Sequence, residues 1–297
     1  PHTTTGCEKS FLRKMPLDLF TNILDQVKGK PVINLEGSGE ATLAPDLPLY
    51  IEECSKRGFR PFIYSNGSKM NGNFMRDCVD AGLSLYRFSV IGYNREKYKE
   101  WMGIDNWDLI YQNTCEMRDY IKQSGSNCRL DSYHLLLDPT RVEYEVAQYQ
   151  QNFIFPIGTE AYIWKQHNWS GNYSPEYNRN DKKRRTCGRP FADEITFRAG
   201  GLNGLQGAVT PCCQTLGPPN ESASVLGHAS SQTIEQIYYG NEYNKLRKAH
   251  EIEDWDAVPY CKDCDFLYDD PEVLVWSNSP TAKVGQMIGV ENMVLNS

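Results

Sequence analysis

The sequence predicts an α/β protein in which a parallel sheet covered by helices is followed by a small cysteine-rich unit. Three observations support this fold class. There are five short apolar runs rich in β-forming residues, helical patterns lie between the runs, and the composition changes near Gly171. Strand-like runs that alternate with helical patterns are typical of βαβ units, which form parallel sheets with the helices outside.

Five apolar runs are predicted as strands. Segments such as FRPFIYS and LYRFSVI suit strands buried on both faces, as the strands of parallel sheets are. The predicted strands are Pro31–Gly37, Phe59–Ser65, Leu85–Ile91, Arg129–Leu137 and Thr159–Lys165. We expect a sixth strand to precede Pro1. Right-handed crossovers between such strands build a barrel, a partial barrel or an open sheet.

The segments around these strands carry helical periodicity and end at glycines. Apolar residues recur at intervals of three and four, as on the buried face of an amphipathic helix. The predicted helices, each with the glycine that closes it, are Leu19–Val27 (Gly29), Leu47–Cys54 (Gly58) and Phe74–Val79 (Gly82). A glycine just past the last apolar position is a common C-terminal signal of a helix.

Three regions follow from the change in composition. Residues 1–170 are predicted to form the parallel sheet and its helices, and residues 171–185 a polar linker. Residues 186–297 are predicted to form a smaller cysteine-rich domain with a C-terminal tail. We find no internal repeat beyond the strand–helix period and no low-complexity tract.

The composition excludes several classes of partner. A formal charge of −7 over 297 residues argues against a nucleic acid bound through phosphate neutralisation. No apolar run approaches the roughly 18 residues that a membrane span needs, so we expect no membrane partner. Without a signal peptide the default location is the cytoplasm, where the ten cysteines should be reduced thiols or metal ligands.

Polar, glycine-bearing segments end three consecutive predicted strands. The first strand ends in Gly37-Ser38-Gly39-Glu40, the second in Ser65-Asn66-Gly67, and the third in Ser89-Val90-Ile91-Gly92. Ligands of parallel α/β barrels bind at the carboxyl ends of the strands. Glycines allow a close approach to the backbone, and Glu40 suits an ammonium group. Together these ends predict a site for a polar cofactor that carries an amino group and a ribose.

Four cysteines of the C-terminal region form a candidate metal site. Cys261 and Cys264 are a Cys-x-x-Cys pair, and Cys187 and Cys212 lie on two other segments. Zinc and iron–sulfur clusters both accept four thiolates, so the spacing leaves the two open. Cys213 is interpreted as a bystander and Cys7 is unassigned. Four further cysteines are predicted to be small core residues: Cys54, Cys78, Cys115 and Cys128.

The ordered set of motifs resembles the radical S-adenosylmethionine (radical SAM) enzymes with a C-terminal SPASM/twitch domain. Ile33–Leu47 resembles their Gly-Gly-Glu segment, Phe62–Gly67 their Thr-Asn-Gly strand end, and Phe88–Tyr93 their fourth-strand segment. The C-terminal resemblance is carried by CGRP from Cys187, Gly207–Cys213, Leu226-Gly227 with a predicted helix at Thr233–Arg247, and Cys261–Cys264. It implies a partial (β/α)6 TIM-like barrel that lacks its first strand, plus a small α+β SPASM/twitch domain.

The resemblance also implies cofactors and their residues. S-adenosylmethionine would be bound by residues at the three strand ends: Gly37, Gly39, Glu40, Ser65, Asn66, Gly67 and Ser89. An auxiliary [4Fe–4S] cluster would be held by Cys187, Cys212, Cys261 and Cys264. Ser38 departs slightly from the family pattern, because it separates the two glycines.

The chemistry implied is abstraction of a hydrogen atom from substrate through a 5′-deoxyadenosyl radical, with electrons from a donor such as flavodoxin or ferredoxin. A single four-cysteine site favours SAM-dependent oxidation of a small polyol or sugar-like substrate. The alternative within the family is a maturase that modifies a peptide or protein. His134, His167 and Trp169 receive no catalytic role, and the catalytic residues are unknown.

One departure from the family is serious, since the sequence contains no Cys-x-x-x-Cys-x-x-Cys motif for the cluster that cleaves S-adenosylmethionine. We interpret the start at Pro1 as truncation directly after that motif, so this fragment should not form 5′-deoxyadenosine. Two alternatives are a non-catalytic relative with a structural zinc and a metal-independent enzyme with Glu40 as general base.

Overall fold

The five predicted strands lie side by side in one sheet. The computed structural model describes residues 14–36, 39–171, 186–215, 224–267 and 274–280. The strands are β1 (Val32–Asn34), β2 (Arg60–Ser65), β3 (Leu85–Ser89), β4 (Arg129–Leu135) and β5 (Glu160–Trp164). Neighbours in this order pair in parallel. The α/β class with a parallel sheet is therefore confirmed, while the closure of a partial (β/α)6 barrel stays a prediction.

A further strand near the C-terminus joins the edge of this sheet. This strand, Leu274–Ser277, pairs with β5 in antiparallel orientation, and we number it β9 in chain order. Asn278 extends the contact, because its Oδ1 accepts a hydrogen bond from the Ala161 N–H at 2.7 Å and its Nδ2 donates to the Thr159 carbonyl at 3.1 Å. The chain thus returns from the cysteine-rich region to the first sheet.

Helices flank the parallel strands in the described part of the chain. The longer ones are α1 (Leu17–Asp25), α2 (Leu47–Lys56), α3 (Gly72–Asp80), α4 (Arg95–Met102), α5 (Trp107–Ser124) and α6 (Val142–Tyr149). A π-helical turn (Gln150–Ile154) and a last helical turn (Phe155–Ile157) follow α6. Their apolar faces pack on alternate strand residues such as Ile63, Tyr86, Phe88 and Ile163, all fully buried. Cys54, Cys78 and Cys128 are buried in this helical layer and Cys115 is half-buried, as predicted.

The C-terminal region forms a second, smaller layer. The strands β6 (Thr196–Arg198), β7 (Ala208–Thr210) and β8 (Gly227–His228) make an antiparallel sheet. The helices are α7 (Ile234–Tyr238), α8 (Asn241–Ile252) and the short α9 (Pro259–Lys262). Val209, Ile237 and Tyr243 are among the residues of its own apolar core.

The single helix predicted at Thr233–Arg247 is wrong in one respect, because two helices occupy this segment. Helix α7 begins at a capping box between Thr233 and Gln236, and it ends at Tyr238. Gly240 is the N-cap of α8, in an extended conformation. A Cβ on Gly240 would lie 2.5 Å from the Gln236 carbonyl oxygen, so the close turn between the two helices requires glycine.

Candidate functional site

The parallel sheet has one face packed on helices and an opposite face that we call the inner face. Because side chains alternate along a strand, the residues between the helix-facing positions point to the inner face. These are Asn34 and Glu36 in line with β1, Phe62 and Tyr64 on β2, Arg87 and Ser89 on β3, Asp131 and Tyr133 on β4, and Tyr162 and Trp164 on β5. The inner face is rich in aromatic and polar groups, which suits a site for a polar organic molecule.

Arg87 is the central charge of the inner face. Its guanidinium pairs with Asp131 through two hydrogen bonds, Nε to Oδ1 at 2.5 Å and Nη2 to Oδ2 at 2.8 Å. Its Nη1 donates to the Tyr64 hydroxyl at 3.0 Å. The rings of Tyr162 and Trp164 lie 4.3 and 5.1 Å from the guanidinium carbon. Arg87 therefore links four strands of the sheet.

Two of the predicted strand ends converge on Glu40. Its Oε1 accepts hydrogen bonds from the Ser65 hydroxyl at 2.6 Å and from the Thr42 hydroxyl at 2.7 Å. Its Oε2 accepts the Asn66 N–H at 2.8 Å. The carboxylate thus connects the segment after β1 to the end of β2 through hydrogen bonds with Ser65 and Asn66.

The other predicted residues of this site lie close by. Gly67 has a φ of +74°, and a Cβ there would lie 2.3 Å from the Phe88 ring, so only glycine fits. Its N–H donates to the Ser65 hydroxyl at 3.0 Å. Ser89 lies opposite Tyr133 in the register of β3 and β4. Gly39 is exposed, and Gly37 lies outside the described residues.

Glu36 is a member of the site that the sequence analysis did not select. Solvent reaches its side chain, yet the surrounding protein desolvates the carboxyl and raises its pKa to about 7. The Asn34 amide donates to Oε1 at 2.8 Å, and the charges of Arg198, Arg87 and Arg189 act in the opposite direction. The signal available in the sequence was the two-residue spacing from Asn34, which puts both side chains on one face.

We predict that replacing Glu36 by Gln removes a pH dependence of stability. The pKa of Glu36 in the folded chain lies above the value of about 4.3 for an exposed glutamate. The protonated carboxyl therefore stabilises the fold. This contribution to stability is fully present below about pH 4.3 and is lost as the pH rises through about 7. Melting temperatures of both proteins at pH 5 and pH 8 test this, and the wild type should lose stability relative to Glu36→Gln.

Glu235→Gln is the matched control for that prediction, because Glu235 is exposed on α7. Glu235→Gln should not reproduce the change in relative stability between pH 5 and pH 8 that is expected for Glu36→Gln. A difference for Glu36→Gln that does not change with pH would contradict the environment assigned to this carboxyl.

The four predicted cluster cysteines lie near a common point in the C-terminal layer. Each of the six pairs among Cys187, Cys212, Cys261 and Cys264 is close enough for one charge to raise the pKa of the other thiol. Burial is the largest cause and raises the pKa of Cys261 well above its usual value. Four clustered thiolates, three half-buried and one buried, are costly without a cation, and a metal centre that deprotonates thiols removes this cost.

Cys212 and its neighbour Cys213 face different surroundings. The Cys212 thiol interacts with the other three predicted ligands. The Cys213 sulfur accepts a hydrogen bond from Arg189 Nη1 at 3.4 Å, and its pKa, raised to about 11 by burial, also responds to Glu36. Cys213 therefore lies on the side toward the inner face, which agrees with its interpretation as a bystander of the cluster.

The arrangement of the donors differs from that of a single-ion site. Within the described ranges, no group of three or more His, Cys, Asp or Glu side chains is arranged to hold one ion. A cluster of four irons and four sulfides separates its thiolates more widely than one ion does. Four thiols on three segments are the donor set of a thiolate-bound iron–sulfur cluster, and the four-cysteine assignment stays a prediction.

The two histidines named in the sequence analysis, His134 and His167, are buried and make packing or hydrogen-bond contacts. His134 accepts the Gly92 N–H on Nδ1 at 3.0 Å, and its Nε2 lies 2.7 Å from Glu145 Oε1. It faces the helices, away from the inner face. His167 is buried, its ring centroid lies 4.1 Å from that of Trp169, and burial lowers its pKa to about 3. Neither residue is assigned a catalytic role.

Comparison with known proteins identifies the C-terminal domain. Residues 204–265 match the SPASM family, described as an iron-sulfur cluster-binding domain. A probable GTP 3',8-cyclase of Metallosphaera sedula is 31% identical over 91 residues, covering 31% of this chain and 28% of the relative. A Pyrococcus furiosus protein that modifies the cofactor of a tungsten-containing aldehyde ferredoxin oxidoreductase is 33% identical over 79 residues, 26% of this chain and 22% of the relative. The matched regions thus span about a quarter of these curated relatives.

Two solved structures share the fold over most of the chain. BtrN, solved with AdoMet and 2-DOIA, has a TM-score of 0.50 and 14% identity, covering 93% of this chain and 85% of its own. SuiB of Streptococcus suis, solved with its precursor peptide SuiA, has a TM-score of 0.54 and 13% identity, covering 81% of this chain and 63% of its own. At these identities the likeness shows the fold.

These findings confirm the resemblance drawn from the sequence. The chain shares the fold of BtrN and SuiB, and its residues 204–265 match the SPASM domain. None of the helices in the described part of the chain is long and apolar enough to cross a bilayer.

Proposed function

We propose that this chain provides the cofactor site and the auxiliary-cluster site of an oxidoreductase of the radical SAM class, with a [4Fe–4S] cluster on Cys187, Cys212, Cys261 and Cys264. The observation that carries the proposal is the mutual proximity of these four thiols, on three segments of a SPASM domain. Their neighbour Cys213 responds to the charge of Glu36, so the cluster would lie beside the strand ends.

The strand ends supply the proposed cofactor site. S-adenosylmethionine, when bound with a reduced cluster, supplies the radical that removes a hydrogen atom from substrate. The residues proposed to bind it are Gly37, Gly39, Glu40, Ser65, Asn66, Gly67 and Ser89. The Glu40 carboxylate suits the ammonium group of the methionyl part, and the Ser65 and Asn66 contacts hold that carboxylate in place.

The inner face is the proposed substrate site. Tyr64 and Tyr133 are partly exposed and offer ring faces and hydroxyl groups, and Glu36 offers a carboxyl whose pKa of about 7 suits proton exchange near neutral pH. These groups favour a small hydroxylated substrate such as a polyol or sugar. The likeness to BtrN over nearly the whole chain supports the same choice.

A peptide-modifying maturase is the second candidate. The likeness to SuiB supports it, since that protein was solved with a precursor peptide. In either case the electrons would come from a small redox protein such as flavodoxin or ferredoxin.

The proposal is tested by the metal content of the protein purified without oxygen. We expect about four irons and four sulfides per chain, with the visible absorption of a thiolate-bound cluster. Zinc in place of iron would support the structural alternative and contradict the proposal. S-adenosylmethionine added to the same protein should protect the Glu40 region from hydrogen exchange, and an unchanged exchange pattern would contradict the assigned cofactor site.

A further inference from the structure

The segment that follows β5 makes direct contact with the cysteine-bearing segments. It comprises residues 167–171 and runs from the end of the parallel sheet into the C-terminal layer. Asn168 is buried in this segment, and its side-chain amide hydrogen-bonds the backbone on both sides of Cys264. The proposed function assigns nothing to this residue.

The two halves of the Asn168 amide bind different backbone groups. Nδ2 donates to the Asp263 carbonyl at 2.5 Å, and Oδ1 accepts the Asp265 N–H at 3.1 Å. Asp263 precedes Cys264 and Asp265 follows it, so one side chain brackets the second cysteine of the Cys-x-x-Cys pair. A side chain with only a donor or only an acceptor makes one of these bonds, and an alanine makes neither.

Neighbouring residues of the same segment support this contact. The Ser170 hydroxyl donates to the Gln214 carbonyl at 3.3 Å, two residues after Cys212. The His167 ring lies 5.8 Å from that of Phe266, which packs with Cys264 and Cys187. Gly171 has a φ of +86°, and a Cβ there would lie 3.2 Å from the Asp263 Cβ. The segment is thus fitted closely to the cysteine pair.

We propose that Asn168 is a positioning residue that fixes the Cys261–Cys264 pair to the end of β5. It thereby sets where the auxiliary cluster lies relative to the inner face. The inference rests on the proposed function, because it concerns the placement of that cluster. Its physical basis is that the Asp263 carbonyl and the buried Asp265 N–H, on either side of Cys264, both hydrogen-bond a side chain of the segment that follows β5.

The test compares Asn168→Ala and Asn168→Asp with the wild type, using iron release to a chelator and the electron paramagnetic resonance spectrum of the reduced cluster. We expect Asn168→Ala to release iron about tenfold faster, a factor equivalent to roughly 1.4 kcal/mol. Its spectrum should shift as the Cys264 thiolate moves. Asn168→Asp keeps the acceptor for Asp265 but opposes the Asp263 carbonyl, so it should also release iron faster than the wild type.

Asn113→Ala is the matched control. Asn113 is equally buried, and its amide also bonds a backbone carbonyl, that of Gly67 at 2.8 Å, but it lies in the parallel-sheet domain. It should lower the melting temperature while leaving the cluster spectrum unchanged. Wild-type iron release and an unchanged spectrum in both Asn168 variants would overturn the inference. A wild-type protein that retains no iron would overturn the proposed function itself.

Discussion

Replacing Cys212 by Ser is expected to abolish binding of the auxiliary cluster, whereas the same change at Cys213 is expected to leave it bound. Cys212 is close to all three other predicted ligands, and Cys213 is bonded by Arg189 instead. A serine hydroxyl is a poor substitute for a thiolate ligand. Iron in the protein purified without oxygen should fall from about four per chain to below about one for Cys212→Ser.

Cys212 and Cys213 are closely matched positions for this comparison. They share one segment, both are half-buried, and the substitution is the same, so a general effect on folding should appear in both. Cys187→Ser, Cys261→Ser and Cys264→Ser should behave like Cys212→Ser. Loss of iron in Cys213→Ser with retention in Cys212→Ser would show that the two roles are exchanged. Full retention in every variant would refute the four-cysteine assignment.

The five parallel strands and the helices α1, α2 and α3 were predicted because their signals are local. Apolar runs and closing glycines specify each element without reference to its neighbours. The pairing of β9 with β5 could not be predicted from local signals. Its sequence, LVWS, has strand character, but its place beside β5 depends on contacts of Asn278 with Thr159 and Ala161, more than a hundred residues earlier.

The candidate site was predictable where glycine and polar residues cluster at strand ends. The structure brings Glu40, Ser65 and Asn66 into contact, as the topology of a parallel sheet leads one to expect. Glu36, Arg189 and Arg198 were not selected. Their importance depends on the C-terminal layer lying beside β1, which no local pattern indicates. Arg87 and Asp131 were read as parts of apolar strands, although a charge in a buried strand requires a partner.

Arg87 lies directly opposite Asp131 in the register of β3 and β4, so each buried charge has the other as its partner. Both side chains are almost completely buried, at 3% and 1% exposure. Burial raises the pKa of Asp131, and Arg87 acts against this shift. A buried ion pair adds little net stability over an apolar pair, but the loss of one partner leaves an uncompensated charge.

Arg87→Met is therefore expected to lower the free energy of unfolding by about 3–5 kcal/mol at pH 7. Without Arg87 the folded pKa of Asp131 rises further above its unfolded value. The neutral acid is tolerated, so the cost should shrink as the pH falls toward the unfolded pKa of about 3.9. Denaturant titrations of both proteins at pH 7 and pH 4.5 measure the difference.

Two further variants test whether the uncompensated buried charge causes the loss of stability in Arg87→Met. The double variant Arg87→Met with Asp131→Leu removes both charges and should recover most of the loss, within about 1 kcal/mol of the wild type if packing is kept. Lys97→Met breaks an exposed pair with Glu100 and should cost no more than about 0.5 kcal/mol. If the double variant were as unstable as Arg87→Met, the ring contacts of Arg87 with Tyr162 and Trp164 would account for its contribution, and the ion pair would not.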